Sequence, residues 1–419
     1  MNLIQQITIY SSLNNSGQPQ LSIQIAQHLI YPAYFKSSIP TTFQIRNNQN
    51  SPFNQQANRQ IQKKSQNSLN LGTLIQIARR VIYKPRSHSA NHIYQVIANI
   101  IKDYLYCNYC ILNSIRIHKT DNYKKMLISS LPQFRKQSFK DKTQMLIDLR
   151  FNLLGNEGAK QLGEELKNCR NLTEVSILLQ NNYISEEGAI QLAGGLKYLN
   201  QVENLQLFLR WNQIGEKGTK QIVESLKLCK NLKSLKIDFG CSRIGKVGAK
   251  ELAQIFKQTN NVTDLCIDLW GNQLGPEGLK FITEGLGHCQ NVTNLSVFLK
   301  ENSIGATGVQ NLDKVLLECK NLSKVHLDLY HNDIQNDGAI QLGKILERCQ
   351  KFSDLDISLQ KNSINIEGAQ ALSKSLKKCN RINIVSLDLS ENDVFEDQLA
   401  TINYNLKKMR RLVTFQIKL

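Results

Sequence analysis

Hydrophobic and polar positions recur every 30 residues over residues 142–419, without a single insertion. Within each period a short segment alternates apolar and polar residues, as at Val175 and Ile177. This alternation is typical of a strand with one buried face. Further along each period the apolar residues step by three and four, as at Ala159 and Leu162, which is typical of a short amphipathic helix. Each period therefore predicts one strand and one helix.

The periods align column by column as nine repeats of constant length, and this regularity predicts a solenoid. The strand column reads Ile147, Ile177, Leu207, Ile237, Ile267, Val297, Leu327, Ile357, Leu387 and Ile417. An Asn column follows at 152, 182, 212, 272, 302, 332, 362 and 392 and is broken only by Ser242. An amide side chain both donates and accepts, so this column is expected to satisfy backbone groups where the chain leaves each strand. A Gly column at 158, 188, 218, 248, 278, 308, 338 and 368 predicts a tight entry to the helix, through positive φ or close approach.

The consensus L-x-x-L-x-L-x-L-x-x-N-x-I-G-x-x-G-A-x-x-L-x-x-x-L-x-x-C-x-N-L resembles the ribonuclease-inhibitor type of leucine-rich repeat. It is also similar to the repeats of NOD-like receptors. The resemblance implies an α/β horseshoe with a parallel sheet on its concave face. Repeats of those families have two fewer residues between the strand leucines and the Asn. A longer strand or a bulge is therefore expected here.

Three regions are predicted: a low-complexity segment over 1–70, a helical cap with a degenerate first repeat over 71–141, and the repeat domain over 142–419. The first region holds 23 Asn or Gln and no acidic residue, so it is expected to be largely disordered. In the cap, residues 112–122 match the strand register, and Pro132 stands where a helix leucine would be. The last strand, Phe415 to Leu419, leaves an open sheet edge that a partner or another segment could cover.

Most of the net positive charge lies in the N-terminal part of the chain. Net charge is +18, and residues 1–143 hold 18 Lys and Arg against three acids, which leaves a net of only +3 for the rest. Three interpretations of this basic segment stay open: a solvated tail, a segment that binds nucleic acid or an anionic surface, and an organelle-targeting segment. With no apolar run of 18 residues and no signal-peptide pattern, an intracellular, cytoplasmic protein with reduced cysteines is expected.

Candidate chemistry is sparse. A Cys column at 169, 229, 289, 319, 349 and 379 is separated by whole coils, so packing explains it better than metal or disulfide chemistry. Cys107 and Cys110, with His88, His92 and His118 nearby, form the one candidate zinc cluster, although zinc normally needs a second pair of ligands. No phosphate-binding loop, kinase or H-E-x-x-H motif occurs, so no cofactor and no enzymatic activity are expected. The acids Asp148, Asp238, Asp268, Asp328 and Asp388 are interpreted as a solvated acidic stripe.

Large side chains follow the strands at positions that a solenoid core does not need. We expect Leu178, Phe208 and Phe298, then Arg150, Arg210, Trp270 and Tyr330, then Phe151, Trp211 and His331, to form a protein-binding patch on the concave face. Trp, Tyr and Arg dominate binding hot spots. Packing of these rings against neighbouring coils or the N-terminal segment is the alternative. The pattern favours a non-enzymatic scaffold or adaptor; a regulatory or substrate-receptor subunit anchored by the basic segment is the second hypothesis.

Overall fold

The repeats fold into one parallel sheet. The structure, a computed structural model, describes residues 126–135, 139, 141–349 and 351–418. Its strands are β1 (Met126–Ile128), β2 (Gln144–Asp148), β3 (Glu174–Leu178), β4 (Asn204–Phe208), β5 (Ser234–Asp238), β6 (Asp264–Asp268), β7 (Asn294–Phe298), β8 (Lys324–Asp328), β9 (Asp354–Ser358), β10 (Ile384–Asp388) and β11 (Thr414–Lys418). Each strand pairs only with its neighbours in sequence, in the order β1 to β11. The predicted α/β solenoid is confirmed.

The helices alternate with the strands. They are α1 (Leu131–Arg135), α2 (Gly155–Leu166), α3 (Glu186–Leu196), α4 (Gly215–Leu226), α5 (Gly245–Phe256), α6 (Gly275–Leu286), α7 (Gly305–Val309), α8 (Leu312–Glu318), α9 (Gln335–Arg348), α10 (Ile366–Lys377) and α11 (Leu399–Lys407). In α2 the residues Ala159, Leu162 and Leu166 are buried, which confirms the predicted apolar stripe. This stripe packs against the buried strand column, and the core runs between sheet and helices through every coil.

The Asn column forms a ladder of hydrogen bonds between coils. The amide of Asn272 donates to the carbonyl of Leu269 at 2.9 Å and to that of Phe239, in the preceding coil, at 2.8 Å. Its Oδ1 accepts from the backbone N–H groups of Ser242 and Ile244, at 3.1 and 3.2 Å. The predicted role of the column is therefore confirmed. In this coil, one Asn side chain hydrogen-bonds to four backbone groups that lie beyond the regular strands.

Each repeat has two more residues between the strand leucines and the Asn than the repeats that it resembles. These two residues extend the hydrogen-bonded pairing between coils. Beyond the end of β3, the N–H of Leu179 donates to the carbonyl of Phe208 at 2.8 Å, and the N–H of Asn181 donates to that of Arg210 at 2.9 Å. The same two bonds recur in the coils that follow. The parallel ladder thus continues past each five-residue strand, as the longer spacing predicts.

The Cys column packs between coils. Its six thiols are buried. The Cys319 thiol donates to the carbonyl of Leu286 at 3.2 Å, and burial raises the pKa of this thiol to about 12. Burial likewise raises the pKa of the Cys349 thiol, to about 11. The packing role is confirmed, and thiols held in the protonated form are poor nucleophiles and poor metal ligands.

The Gly column is explained by close approach rather than by positive φ. A Cβ on Gly338 would lie 2.4 Å from the Ile334 side chain and 3.1 Å from the Ala306 backbone of the preceding coil. Positive φ belongs to a different position three residues earlier, as at Gly275, with a φ of 62°. Of the two reasons foreseen for the column, the structure selects close approach, above all to the side chain four residues earlier in the same coil.

The first coil is shorter than the others. Strand β1 pairs with β2 through Met126 and Met145, an offset that the 30-residue period does not predict. Phe134 and Phe139 pack with ring centroids 4.7 Å apart and are buried with Ile128, so they cover this end of the core. The predicted features over 1–70 and 71–125, including the strand match at 112–122 and the Cys107–Cys110 pair, lie outside the described residues, as does Leu419.

Candidate protein-binding surface

The face of the sheet that points away from the helices is polar. Along β5 the side chains of Ser234 and Lys236 lie on this face, between the buried Leu235 and Ile237. Charged groups pair across strands: Lys236 lies 3.8 Å from Asp264, and the Nδ1 of His326 lies 2.6 Å from a carboxylate oxygen of Asp356. This face, the predicted concave face, therefore offers hydrogen-bonding groups more than apolar area.

The large side chains predicted to bind a partner lie where the strands end. We call these positions the strand-end rim: residues 148, 150 and 151 and their equivalents in each later coil. The structure buries Leu178, Arg210 and Trp270, leaves Arg150, Phe151, Phe208, Trp211, Phe298 and Tyr330 half-buried, and exposes His331. Leu178 is only 1% exposed, so it offers a partner almost no contact area.

Two tryptophans and one arginine come together at the centre of the rim. The rings of Trp211 and Trp270 pack edge to face with centroids 6.0 Å apart. The guanidinium of Arg210 lies 5.2 Å from the centroid of the Trp270 ring. Both indole N–H groups are buried and make no hydrogen bond to any described residue. Buried N–H donors normally find a hydrogen-bond partner, so the two indoles are exceptions to this rule.

Arg210 also joins two acidic residues from the next two coils. Its Nε lies 3.1 Å from an oxygen of Asp238, and its Nη2 bonds to Asp268. Burial raises the pKa of Asp238 to about 6, although the positive charge of Arg210 opposes the rise. The arginine thus ties three coils together and holds a charged group beneath the tryptophans.

The acidic column has a structural role that corrects the sequence interpretation. Asp238, Asp328 and Asp388 are buried rather than solvated, at 6 to 8% exposure. Each carboxylate accepts the backbone N–H two residues later, for example that of Gly240 at 2.9 Å. The same bond occurs at Asp268, whose Oδ1 accepts from the N–H of Trp270 at 3.0 Å. The column recurs because it holds the backbone at the strand end, where carboxylates favour such local bonds.

Other predicted residues form separate groups. Phe298 packs on His326, with ring centroids 4.8 Å apart. Tyr330 contacts His331, with centroids 5.9 Å apart, and the Lys300 ammonium lies 5.6 Å from the Tyr330 ring centroid. Four coils, or roughly 20 Å at the usual strand spacing, separate His331 from Trp211. The patch is therefore a row of clusters rather than a single pocket.

The backbone beneath the third rim column is left-handed in all nine coils. Phe151, Trp211 and His331 have φ values of 57°, 56° and 51°. Their equivalents are Asn181, Cys241, Gly271, Glu301, Lys361 and Glu391, each with φ between 50° and 63°. Large side chains rarely occupy this region of φ. Sequence reasoning missed the feature, although the Gly and Asn at two of the nine positions were a signal for it.

Other kinds of site find no support among the described residues. No group of three or more His, Cys, Asp or Glu residues there is arranged to hold a metal ion. No helix of the described segments is long and apolar enough to cross a membrane.

Comparisons with known proteins bear on the repeats. A family model described as leucine-rich repeat matches residues 325–343, which cover most of β8 and the first half of α9. No curated protein matches the chain. Among solved structures, the chain is similar to one from the crystal structure of the Rad7 and Elc1 complex in yeast, at 13% identity and a TM-score of 0.41, over 80% of this chain and 94% of that one.

Proposed function

The chain is a leucine-rich repeat protein, and from this premise we propose that it is a non-enzymatic protein-binding scaffold or adaptor. Its partner binds the concave face and the strand-end rim, centred on Trp211 and Trp270. The observation that carries the proposal is the cluster of these two rings with Arg210, since Trp and Arg are the residue types that dominate protein-binding surfaces.

The position of Trp211 supports this assignment. The backbone there has a φ of 56°, a conformation that Gly271 adopts without a side chain at the equivalent position two coils further along. A large ring at such a position costs conformational energy and adds nothing to the buried core between sheet and helices. Its ring is half-buried, so one part rests on Trp270 while another part meets solvent. A partner would gain contact area there without disturbing the core.

The test is the substitution Trp211→Gly in the full chain, with bound proteins quantified by affinity purification and mass spectrometry. Glycine adopts the required φ, so the melting temperature should stay within a few degrees of wild type. At least one protein retained by wild type should be recovered at least about tenfold less, equivalent to about 1.4 kcal/mol of binding free energy. Trp270→Ala is also expected to lower the recovery of that protein. Because Trp270 is only 9% exposed, this substitution should in addition lower the melting temperature.

Tyr404→Ala is the matched control, because this aromatic ring is 57% exposed on helix α11, away from the sheet. It should leave both the melting temperature and the recovered proteins unchanged. If Trp211→Gly recovers the same proteins as the control, the surface is misplaced. If it lowers the melting temperature strongly, the ring belongs to the core.

A more specific role, as a regulatory or substrate-receptor subunit, is supported by one further observation: the positive charge of the chain is concentrated in its N-terminal part. Residues 1–143 carry 18 of the 52 Lys and Arg residues but only three of the 34 acids. Such a segment would bind nucleic acid or an anionic surface through charge, and the binding would weaken steeply with salt. Comparing the full chain with a variant lacking residues 1–125, which hold 14 of these 18 cationic residues, for retention on heparin or RNA tests this second role.

A further inference from the structure

A cleft of about 600 Å³ opens in the last three coils, on the loops that lead from each helix to the next strand. Four cationic side chains line it: Lys351, Arg381, Arg410 and Arg411. Its other lining residues are Phe352, Ser353, Asn380 and Asn383, so none of the described residues that form the wall is acidic. This cleft lies at the opposite ends of the strands from the rim.

The cations replace a neutral residue of the repeat. The equivalent position is Asn in five of the six earlier coils, at 171, 231, 261, 291 and 321, and Gln at 201. There the amide bonds to the backbone, as when Asn291 donates to the carbonyl of Asn260 at 2.6 Å. In the last three coils the position is Lys351, Arg381 and Arg411 in succession. The change is specific to the coils that form the cleft.

Structural roles account for only one of these charges. The ammonium of Lys351 donates to the carbonyl oxygens of Leu317 and Cys319 in the preceding coil. Arg381, Arg410 and Arg411 are exposed, and none of them forms an ion pair with an acidic side chain in the part of the chain that the structure describes. Cations stabilise helix C-termini, but Arg381 and Arg411 lie four residues beyond the ends of α10 and α11, and most earlier coils have Asn at the equivalent position.

Stacking adjacent coils at the usual strand spacing of about 5 Å brings like charges together, and this arrangement is unfavourable unless an anion lies between them. Guanidinium groups bind phosphate through paired N–H donors. A phosphate monoester carries nearly two negative charges and three terminal oxygens, so it suits several arginines, whereas a single carboxylate is satisfied by one.

We infer that this cleft is a docking site for a phosphorylated peptide segment of a partner protein. A peptide is favoured over single-stranded nucleic acid because the one aromatic ring in the lining, Phe352, is fully buried and offers no surface on which a base could stack. The site is separate from the rim, so the two can act independently.

The probe is a fluorescein-labelled eight-residue Gly/Ser peptide with two phosphoserines, measured by fluorescence anisotropy with the full chain at two salt concentrations. The same peptide without phosphate, the same peptide with two Glu, and an eight-nucleotide oligo-dT serve as parallel ligands. Binding of the phosphorylated peptide should exceed that of the unphosphorylated and Glu forms by at least about tenfold and should weaken with salt. Equal binding of the Glu peptide, tighter binding of the oligonucleotide, or no binding at 150 mM salt would overturn the assignment.

The variant Arg381→Gln/Arg411→Gln removes two charges from the cleft and should weaken binding of the phosphorylated peptide at least about tenfold. Lys160→Gln/Lys220→Gln removes the same charge from exposed positions on α2 and α4 and should change binding less than twofold. Both variants should melt like wild type, since the substituted side chains are exposed. Trp211→Gly should bind the phosphorylated peptide normally, which separates this site from the proposed rim surface. Similar losses in both double variants would mean that net charge, and not the cleft, binds the peptide.

Discussion

The Asn ladder and the strand-end rim lie within four residues of each other in every coil, yet the ladder repeats and the rim varies. The side chain of Asn272 bonds only to backbone atoms, in its own and the preceding coil. Trp270, two residues earlier, contacts the side chains of Trp211 and Arg210. Backbone atoms are the same in every coil, so one residue type suits them all. The side chains that contact the rim differ between coils, so the residue types of the rim can also differ. A binding function is therefore expected at the positions where the repeat allows variation.

The largest expected effect comes from breaking a rung of the ladder. Asn272→Leu leaves three buried backbone groups without partners, the carbonyl of Phe239 and the N–H groups of Ser242 and Ile244, and each such group costs about 1–3 kcal/mol. Chemical denaturation should show a loss of at least 3 kcal/mol in the free energy of unfolding. A loss as small as that of an exposed substitution would mean that water replaces the amide and that the ladder is dispensable.

A smaller effect is expected from the pH dependence of the rim. Burial raises the folded-state pKa of Asp238 to about 6, above its ordinary value of 3.8. The folded protein therefore binds this proton more tightly than the unfolded chain, and the group's contribution to stability falls as pH rises from about 4 to above 6. The melting temperature of wild type should decline relative to that of Asp238→Asn over this window. A constant difference between the two proteins would show that Arg210 fully compensates the buried charge.

Cys319→Ala tests the Cys column, whose role is packing between coils. The substitution removes one sulfur atom from a buried position and should cost about 1 kcal/mol, through a small cavity and a weak hydrogen bond. The free energy of unfolding should therefore fall much less than for Asn272→Leu. Comparable losses in the two variants would undermine the distinction between backbone satisfaction and packing.

The smallest expected effect is a gain in the free energy of unfolding, at Ser242, where the Asn column is interrupted. Ser242 donates through its hydroxyl to the carbonyls of Leu209 and Gly240, both at 3.2 Å. Within the described residues it accepts no bond from the N–H groups of Asn212 and Ile214, which an Asn at this rung would reach. Ser242→Asn should raise the free energy of unfolding by about 1 kcal/mol. A loss of stability would indicate that the hydroxyl is needed for the local geometry beside Arg210.

The sequence by itself determined the fold of residues 142–419 and the roles of its Asn and Cys columns. A residue that recurs every 30 positions meets the same neighbours in each coil, so the Asn at 272 or the Cys at 319 has one role that the period reveals. The ribonuclease-inhibitor type of repeat stays a prediction, as do the predicted domain boundaries. The pairing of β1 with β2 could not be predicted from the sequence, because the paired residues are fewer than 30 positions apart and so depart from the period.

Only the tertiary structure decided what the non-repeating side chains do. It buried Asp238, Asp328 and Asp388, brought Arg210 to Asp238 and Asp268, and packed Trp211 edge to face with Trp270, whereas it left His331 exposed. It also gathered Lys351, Arg381 and Arg411 along one cleft. The contacts of Arg210, of the two tryptophans and of the cleft join residues 28 to 60 positions apart, whose identities differ from coil to coil. Their distances and burial depend on how successive coils stack, and periodicity carries no information about that geometry.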